Sequence, residues 1–125
     1  MDREHLDRLT NKIIGLAIEV HKELGPGFDE KIYSRALDAE FSNGDIVFDK
    51  EKLIEVKYKN QKMGEHRVDF LVENELVIEL KAVDRIVDVH MAQVLSYLKA
   101  IDKRLGLVLN FGAGKLQIKR VVNNF

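Results

Sequence analysis

Residues 67–81 read Arg-Val-Asp-Phe-Leu-Val-Glu-Asn-Glu-Leu-Val-Ile-Glu-Leu-Lys, and this stretch decides the fold. Two apolar runs flank the polar triplet Glu-Asn-Glu, and three residues are a common length for a hairpin loop. A loop of that length pairs Val72 with Leu76 in two antiparallel strands. Counting outward from this pair, we expect Asp69 to lie directly opposite Glu79.

The alternation of side chains along a strand brings the charges of this hairpin together. Asp69, Glu79 and Lys81 should share one face. The alternate positions predict an apolar second face made of Val68, Phe70, Val72, Leu76, Ile78 and Leu80. Opposed carboxylates repel, and the pKa of one rises unless a cation lies nearby. Lys81 supplies one charge, and oxygen ligands in a chain without cysteine favour Mg²⁺ or Mn²⁺ over Zn²⁺.

A simpler interpretation of Asp69 and Glu79 (hereafter the acid pair) is also open. In a generic amphipathic hairpin both would be solvated surface residues, and Lys81 would neutralise them. Here apolar residues surround each acid, and carboxylates in such strands rarely lack a partner. The sequence therefore weakens the surface interpretation without excluding it.

The remainder of the chain predicts helices on both sides of the hairpin. Helical and alternating spacing predict helices at 4–24, about 29–42 and 89–101, and strands at 46–48, 53–58, 67–72, 76–82, 105–111 and 115–122. Gly25-Pro26-Gly27 ends the first helix, and Asp88 is the expected N-cap of the third. The nearly uniform apolar strand at 105–111 indicates burial on both faces. We expect one α/β domain over residues 1–125, with a mixed central sheet flanked by helices.

Composition limits the classes of protein to consider. The chain has 125 residues, of which 46% are hydrophobic and 33% are charged, and it has no cysteine. Disulfides and thiolate metal sites are therefore excluded. The sequence shows neither an apolar run of membrane-spanning length nor a signal-peptide pattern in residues 1–9. These features predict a soluble cytoplasmic protein that has no membrane partner.

Charge is distributed unevenly along the chain. The net charge is −1, but residues 99–120 carry a balance of +5 and the remainder carries −6. Two interpretations stay open at this point. The basic end tracks a phosphate backbone, or it is an ordinary solvated strand and helix end.

Two motifs resemble known ones. Asp69, followed ten residues later by Glu79-Leu80-Lys81, resembles the D…(D/E)xK signature of the PD-(D/E)XK nuclease superfamily. Gly27-Phe-Asp-Glu-Lys-Ile-Tyr33 resembles the G-x-x-E-x-x-Y pattern of the GxxExxY family, which is assigned to the same superfamily. The resemblance continues through 14–27, 79–83, 90–99 and 106–112. It implies a restriction-endonuclease-like core.

The resemblance also implies a metal centre. Asp69 and Glu79 would be ligands, and the carbonyl group of Leu80 would be a third. Glu30, on the first turn of the second helix, would complete the cluster directly or through water. Mg²⁺ or Mn²⁺ would be the ion.

Further residues receive roles from the same resemblance. Lys81 would orient the attacking water and stabilise charge on the phosphate. Gln93 matches the glutamine that many superfamily members place beside this lysine. Gly27 and Tyr33 belong to the G-x-x-E-x-x-Y pattern that names the family (hereafter the name motif). The pattern leaves the role of the tyrosine open.

The sequence departs from the pattern of its relatives in two places. Glu51 stands where relatives often carry glutamine, which adds charge near the site or at its rim. Val68 replaces the usual proline before Asp69. His21 and His90 match family positions, but packing or a helix-end hydrogen bond is the favoured interpretation for both.

Two functions of different class follow. The first is a Mg²⁺-dependent nuclease that hydrolyses phosphodiester bonds of DNA or RNA, and two sites for two strands would favour a homodimer. The second is a non-catalytic or weakly active nucleic-acid-binding or assembly module on the nuclease fold. The complete set of site residues favours the first, and the near-neutral net charge favours the second.

Overall fold

The computed structural model describes all 125 residues. The helices are α1 (Arg3–Leu24), α2 (Glu30–Asn43) and α3 (Asp88–Ile101). The strands are β1 (Phe48–Tyr58), β2 (Gln61–Val72), β3 (Leu76–Lys81), β4 (Leu105–Asn110) and β5 (Gln117–Val122). The five strands form one mixed sheet that lies between helices, which confirms the expected α/β class. None of the helices is long and apolar enough to cross a membrane.

The sheet has the strand order β1-β2-β3-β4-β5. Neighbouring strands are antiparallel except β3 and β4, which are parallel. A parallel pair needs a long crossover, and α3 provides it. Every residue of β4 is buried, as its uniform apolar sequence predicted. The central strands β3 and β4 therefore have both faces covered and form a rigid base for the residues at their ends.

Helices cover the two faces of the sheet with separate cores. On one face, α1 and α2 pack against the sheet through residues that include Ile13, Leu37 and Phe41. On the other face, α3 packs through Val94 and Leu98. Gly106 lies below α3, where a Cβ atom would lie 2.6 Å from Cγ1 of Val94. A side chain at this position of β4 would push α3 off the sheet.

The hairpin register agrees with the prediction from loop length. Val72 pairs with Leu76, and regular pairing continues as far as Phe70 and Ile78. Five of the six residues expected on the apolar face lie in the core below α1 and α2, but the expectation for Val68 was wrong.

Val68 instead packs in the core below α3. The alternation of faces changes between Phe70 and Val68, at Asp69. The neighbouring strand β1 is irregular at the same level: Glu51 has a positive φ of 54° and does not pair with Asp69. The register is the same on both sides of this unpaired position, and beyond it Val68 packs below α3.

Smaller boundaries also differ from the sequence prediction. Instead of separate strands at 46–48 and 53–58, one strand β1 runs from Phe48 to Tyr58 and leaves 46–47 outside it, and β2 begins at Gln61 rather than Arg67. Cross-strand pairing extends both strands through residues whose side chains are mostly exposed. The strands expected at 76–82, 105–111 and 115–122 are one or two residues shorter. Val87, not Asp88, occupies the N-cap position of α3.

Gly112, just after β4, permits a close approach that the fold needs. An added Cβ would lie 2.5 Å from the backbone N of Val83 and 2.7 Å from the backbone C of Ala82. Backbone atoms cannot rotate away as a side chain does. We therefore expect Gly112→Ala to lower the free energy of unfolding by about 2–3 kcal/mol, measured by urea denaturation.

Gly114 gives a matched control in the same turn. A Cβ at this position has no atom within 4 Å. Gly114→Ala should leave the free energy of unfolding within about 0.5 kcal/mol of the parent value. Equal urea midpoints for the two variants would contradict the close approach described for Gly112.

Candidate active site

The acid pair lies where regular pairing of β2 and β3 stops. Beyond Phe70 and Ile78, each carboxylate binds the backbone of the opposite strand. Oε1 of Glu79 accepts a hydrogen bond from the N–H of Asp69 at 3.1 Å, and Oδ2 of Asp69 accepts one from the N–H of Leu80 at 2.7 Å. Side chains thus replace the backbone ladder and hold the two carboxyl groups face to face.

Burial favours the neutral form of both carboxyl groups. Loss of solvation, with the charge of Asp69 adding to it, raises the pKa of Glu79 to about 8. Loss of solvation also raises the pKa of Asp69, while its hydrogen bonds and the charge of Lys81 oppose that rise. The side-chain interaction between the two carboxyl groups raises the pKa of Glu79 and lowers the pKa of Asp69. Of the two carboxyl groups, Glu79 thus has the pKa that is raised far above its ordinary value.

Glu30, the first residue of α2, lies within the range of charge interaction with Asp69 and Lys81. The turn before it uses Gly27, whose φ of 117° disfavours any other residue, and Asp29 caps the helix by accepting a hydrogen bond from the N–H of Ile32. Glu30 is largely exposed, and partial loss of solvation raises its pKa, while the charge of Lys81 counteracts that rise and the charge of Asp69 adds to it. Glu30 and the acid pair thus lie close enough for their charges to interact.

Lys81 ends β3, two residues beyond Glu79. Its charge lowers the pKa of Glu30, Asp69 and Glu79. Its backbone is fixed in the sheet, because its carbonyl accepts a hydrogen bond from the N–H of Phe111 at 2.8 Å. The structure therefore brings together four of the residues that the sequence proposed for the site, with one cation among three acids.

Asn110 supports this end of β3, a role that the sequence analysis missed. The residue is fully buried. Its Oδ1 accepts hydrogen bonds from the N–H groups of Val83 and Gly112, and its Nδ2 donates to the carbonyl of Val83 and to Oε1 of Gln117. An amide at the end of an otherwise apolar strand was the available signal, since buried amides need partners. Asn110 anchors the segment that follows Lys81.

Tyr97, which the sequence did not assign, and Glu51 interact with the acid pair. Burial, followed by the charges of Glu79 and Asp69, raises the pKa of Tyr97 to about 12. The Tyr97 ring stacks on His66 with 4.2 Å between ring centroids. Glu51 is near enough for its charge to raise the pKa of Asp69, in line with the expected place at the rim. No local motif marks Tyr97, because α3 meets β2 only in the folded chain.

Three other candidates have no hydrogen bond to the acid pair. Gln93 is exposed and lies on α3 one helical turn before Tyr97, and it forms no hydrogen bond with the acid pair or Lys81. His21 is buried, and its Nε2 bonds to the carbonyl of Ala113 at 2.9 Å. His90 accepts a hydrogen bond from the N–H of Val87 at the start of α3. Both histidines have the structural contacts that were the favoured interpretation.

The chemistry of the donor set fits a small divalent ion. Backbone N–H groups bind only Oδ2 of Asp69 and Oε1 of Glu79, so each carboxylate has a second oxygen that no backbone group binds. No three acidic or histidine side chains lie close enough to hold an ion between them. An ion bound by two carboxylates and completed by water is typical of Mg²⁺.

Comparisons with known proteins agree with this architecture. No curated protein matches the sequence. The solved structure described as "Crystal structure of SSO0001" is similar in fold, with a TM-score of 0.59 and 16% sequence identity. The match covers 76% of this chain and 50% of that chain, so this chain spans about half the length of the solved one. The sequence profile of the PD-(D/E)XK nuclease superfamily matches residues 7–121, and the chain therefore belongs to that superfamily.

Proposed function

We propose that this protein is a divalent-metal-dependent nuclease that hydrolyses phosphodiester bonds in DNA or RNA. The observation that carries the proposal is the buried acid pair beside Lys81 at the end of β3. Two buried carboxyl groups that face each other cost stability unless they share a proton or a cation. A catalytic site explains why the fold keeps them together.

We also place the chain in the GxxExxY branch of the superfamily. Gly27, Glu30 and Tyr33 match the motif that names it. The motif has a physical basis here, since the glycine makes the turn that starts α2 and the glutamate follows at its first residue. A cytoplasmic setting and a homodimer complete the proposal, as a pair of sites would serve two strands.

Asp69 and Glu79 would hold Mg²⁺ or Mn²⁺, with Glu30 interacting through water. The bound ion would supply Lewis-acid polarisation of the phosphate and lower the pKa of a water molecule. Without it, Lys81 interacts with three carboxyl groups, and those that are ionised repel a phosphate. The acidic site therefore supports a metal-dependent activity over a metal-free one.

Lys81 would supply the positive hydrogen-bond donor that the acids cannot. Its ammonium group is a compact cation on a fixed strand end, so it can donate hydrogen bonds to a non-bridging phosphate oxygen or to the attacking water. Negative charge grows on the phosphate oxygens as the new bond forms. A donor already in place stabilises that charge without reorganisation.

A non-catalytic binding or assembly module on the same fold is the second candidate. The exposed position of Gln93 favours it, because no hydrogen bond connects this side chain to Lys81. The net charge of −1 also predicts low unaided affinity for nucleic acid. The two candidates differ in turnover, not in metal binding.

The test combines metal binding with cleavage. Purified protein is incubated with single- and double-stranded DNA and RNA oligonucleotides, with Mg²⁺, Mn²⁺ or EDTA. We expect cleavage only with metal, and a metal-induced stabilisation of about 2.7 kcal/mol at a hundredfold excess over the dissociation constant. Metal stabilisation without cleavage of any substrate would favour the module.

Asp69→Asn is the matched variant for this test. Asparagine keeps an oxygen that can accept the hydrogen bond from the N–H of Leu80 but loses the charge. The metal-free variant should be as stable as the parent or more so, while both the metal stabilisation and the cleavage disappear. A loss of more than about 2 kcal/mol without metal would mark Asp69 as a structural residue instead.

A further inference from the structure

Tyr33, the tyrosine of the name motif, has no role assigned by the nuclease proposal. Its side chain is fully buried, yet its hydroxyl group forms two hydrogen bonds. The hydroxyl donates to the carbonyl of Gly25 and accepts from the N–H of Phe28 at 3.3 Å. One side chain thus closes the turn between α1 and α2 from both ends.

This turn has little rigidity of its own. Gly25 and Gly27 both have positive φ values, 67° and 117°. Glycine at such positions avoids strain but leaves the unfolded and partly open turn with many accessible conformations. The two bonds to Tyr33 therefore restrict the turn, and Glu30 follows it by only two residues.

The ring of Tyr33 connects the turn to the other half of the site. It stacks on Phe111 with 4.6 Å between ring centroids and an interplanar angle of 14°. The N–H of Phe111 in turn donates to the carbonyl of Lys81 at 2.8 Å. A continuous path of contacts thus runs from the Gly25–Phe28 turn through one buried ring to the strand end that carries the lysine.

We infer that Tyr33 is a positioning residue, which sets the place of Glu30 relative to the acid pair by fixing the turn before α2 against the end of β4. The inference rests on the proposed metal site. It explains the spacing of the motif, because Tyr33 lies one helical turn beyond Glu30 and is directed to the same end of the sheet. The tyrosine would act on metal binding through Glu30.

The experiment is a double-mutant cycle on Mn²⁺ affinity, measured by electron paramagnetic resonance of free Mn²⁺. Tyr33→Phe keeps the stacked ring and removes the hydroxyl. It should weaken Mn²⁺ binding about tenfold, the scale for loss of an outer-sphere partner. In the Glu30→Gln background, the same substitution should have no further effect on Mn²⁺ affinity.

Two control variants separate positioning from general stability. Tyr58→Phe removes a hydroxyl from an exposed tyrosine of β1 and should leave affinity unchanged. Ile13→Val, in the core of α1, should lower the melting temperature without changing Mn²⁺ affinity.

Each outcome of the cycle has one meaning. Equal Mn²⁺ affinity for Tyr33→Phe and the parent would overturn the positioning role and leave the metal site intact. The same loss with and without Glu30 would also overturn it, because the tyrosine would then act on another part of the site. No Mn²⁺ binding by the parent protein would contradict the proposed metal site itself, and with it this inference.

Discussion

Lys81→Ala should lower the rate of metal-dependent cleavage by about 10²–10³, while the protein still binds the metal. The ammonium group acts where charge builds on the phosphate in the transition state, and that range is the usual scale for loss of one stabilising donor. Substrate binding before the reaction gains less from this contact. The substitution should therefore reduce kcat more than it raises KM.

The conditions of this measurement follow from the charges around the lysine. Lys81 lowers the pKa of Glu30, Asp69 and Glu79, so its removal raises all three pKa values and increases the competition of protons with the metal. Rates must therefore be compared at saturating metal, on a substrate that the parent protein cleaves. Single-turnover cleavage then reports the chemical step.

Lys81→Arg and Lys62→Ala are the comparison variants. A guanidinium group is wider than an ammonium group and cannot act as a point charge at the same place, so Lys81→Arg should recover little of the rate. Lys62 is an exposed lysine near the tip of the β1–β2 ribbon, paired with Glu65, and its removal should leave the rate unchanged. Equal rates for Lys81→Ala and the parent protein would show that a contaminant or another site cleaves the substrate.

The metal-free protein should lose stability as the pH rises from about 5 to about 8. The pKa of Glu79 is about 8 in the folded chain, against an ordinary value of 4.5. Between these two values the folded state binds a proton that the unfolded state has lost, so the free energy of unfolding falls with rising pH. At about 1.4 kcal/mol for each pKa unit, the loss is on the order of 4 kcal/mol. The raised pKa of Asp69 and that of Glu30 act in the same direction.

Urea denaturation in EDTA at several pH values measures this slope. Glu79→Gln should remove most of it, because an amide does not titrate, and Glu23→Gln on the exposed surface of α1 should leave it unchanged. Saturating Mn²⁺ should reverse the slope, since metal binding requires deprotonated carboxylates. A free energy of unfolding that stays level or rises from pH 5 to pH 8 without metal would contradict the buried, protonated state of Glu79.

The sequence alone determined the hairpin at the centre of the site. Loop length fixed the pairing of Val72 with Leu76, and the period of two then placed Asp69 opposite Glu79. Such short-range rules hold because each element depends on neighbours a few residues away. The three helices were predicted within about one residue at most ends for the same reason, since glycine and proline stop helices locally.

Only the tertiary structure decided how this hairpin becomes a site. The hydrogen bonds that each carboxylate accepts from the opposite backbone require the strands to leave the regular ladder, and this happens beside Glu51, which has a positive φ and does not pair with Asp69. Beyond this position Val68 lies on the other face, against the simple alternation. A strand defect depends on the partner strand and the helix packed above it, and no pattern within 67–81 contains that information.

The same distinction applies to the residues around the acid pair. The resemblance to the G-x-x-E-x-x-Y pattern marked Glu30 and Tyr33, but the partners of the tyrosine hydroxyl and ring come from a turn and from the residue after β4. Tyr97 approaches the acid pair because α3 crosses the sheet between the parallel strands β3 and β4. Contacts between distant segments form only when the chain closes its core, because burial of apolar faces, not local sequence, sets which segments meet.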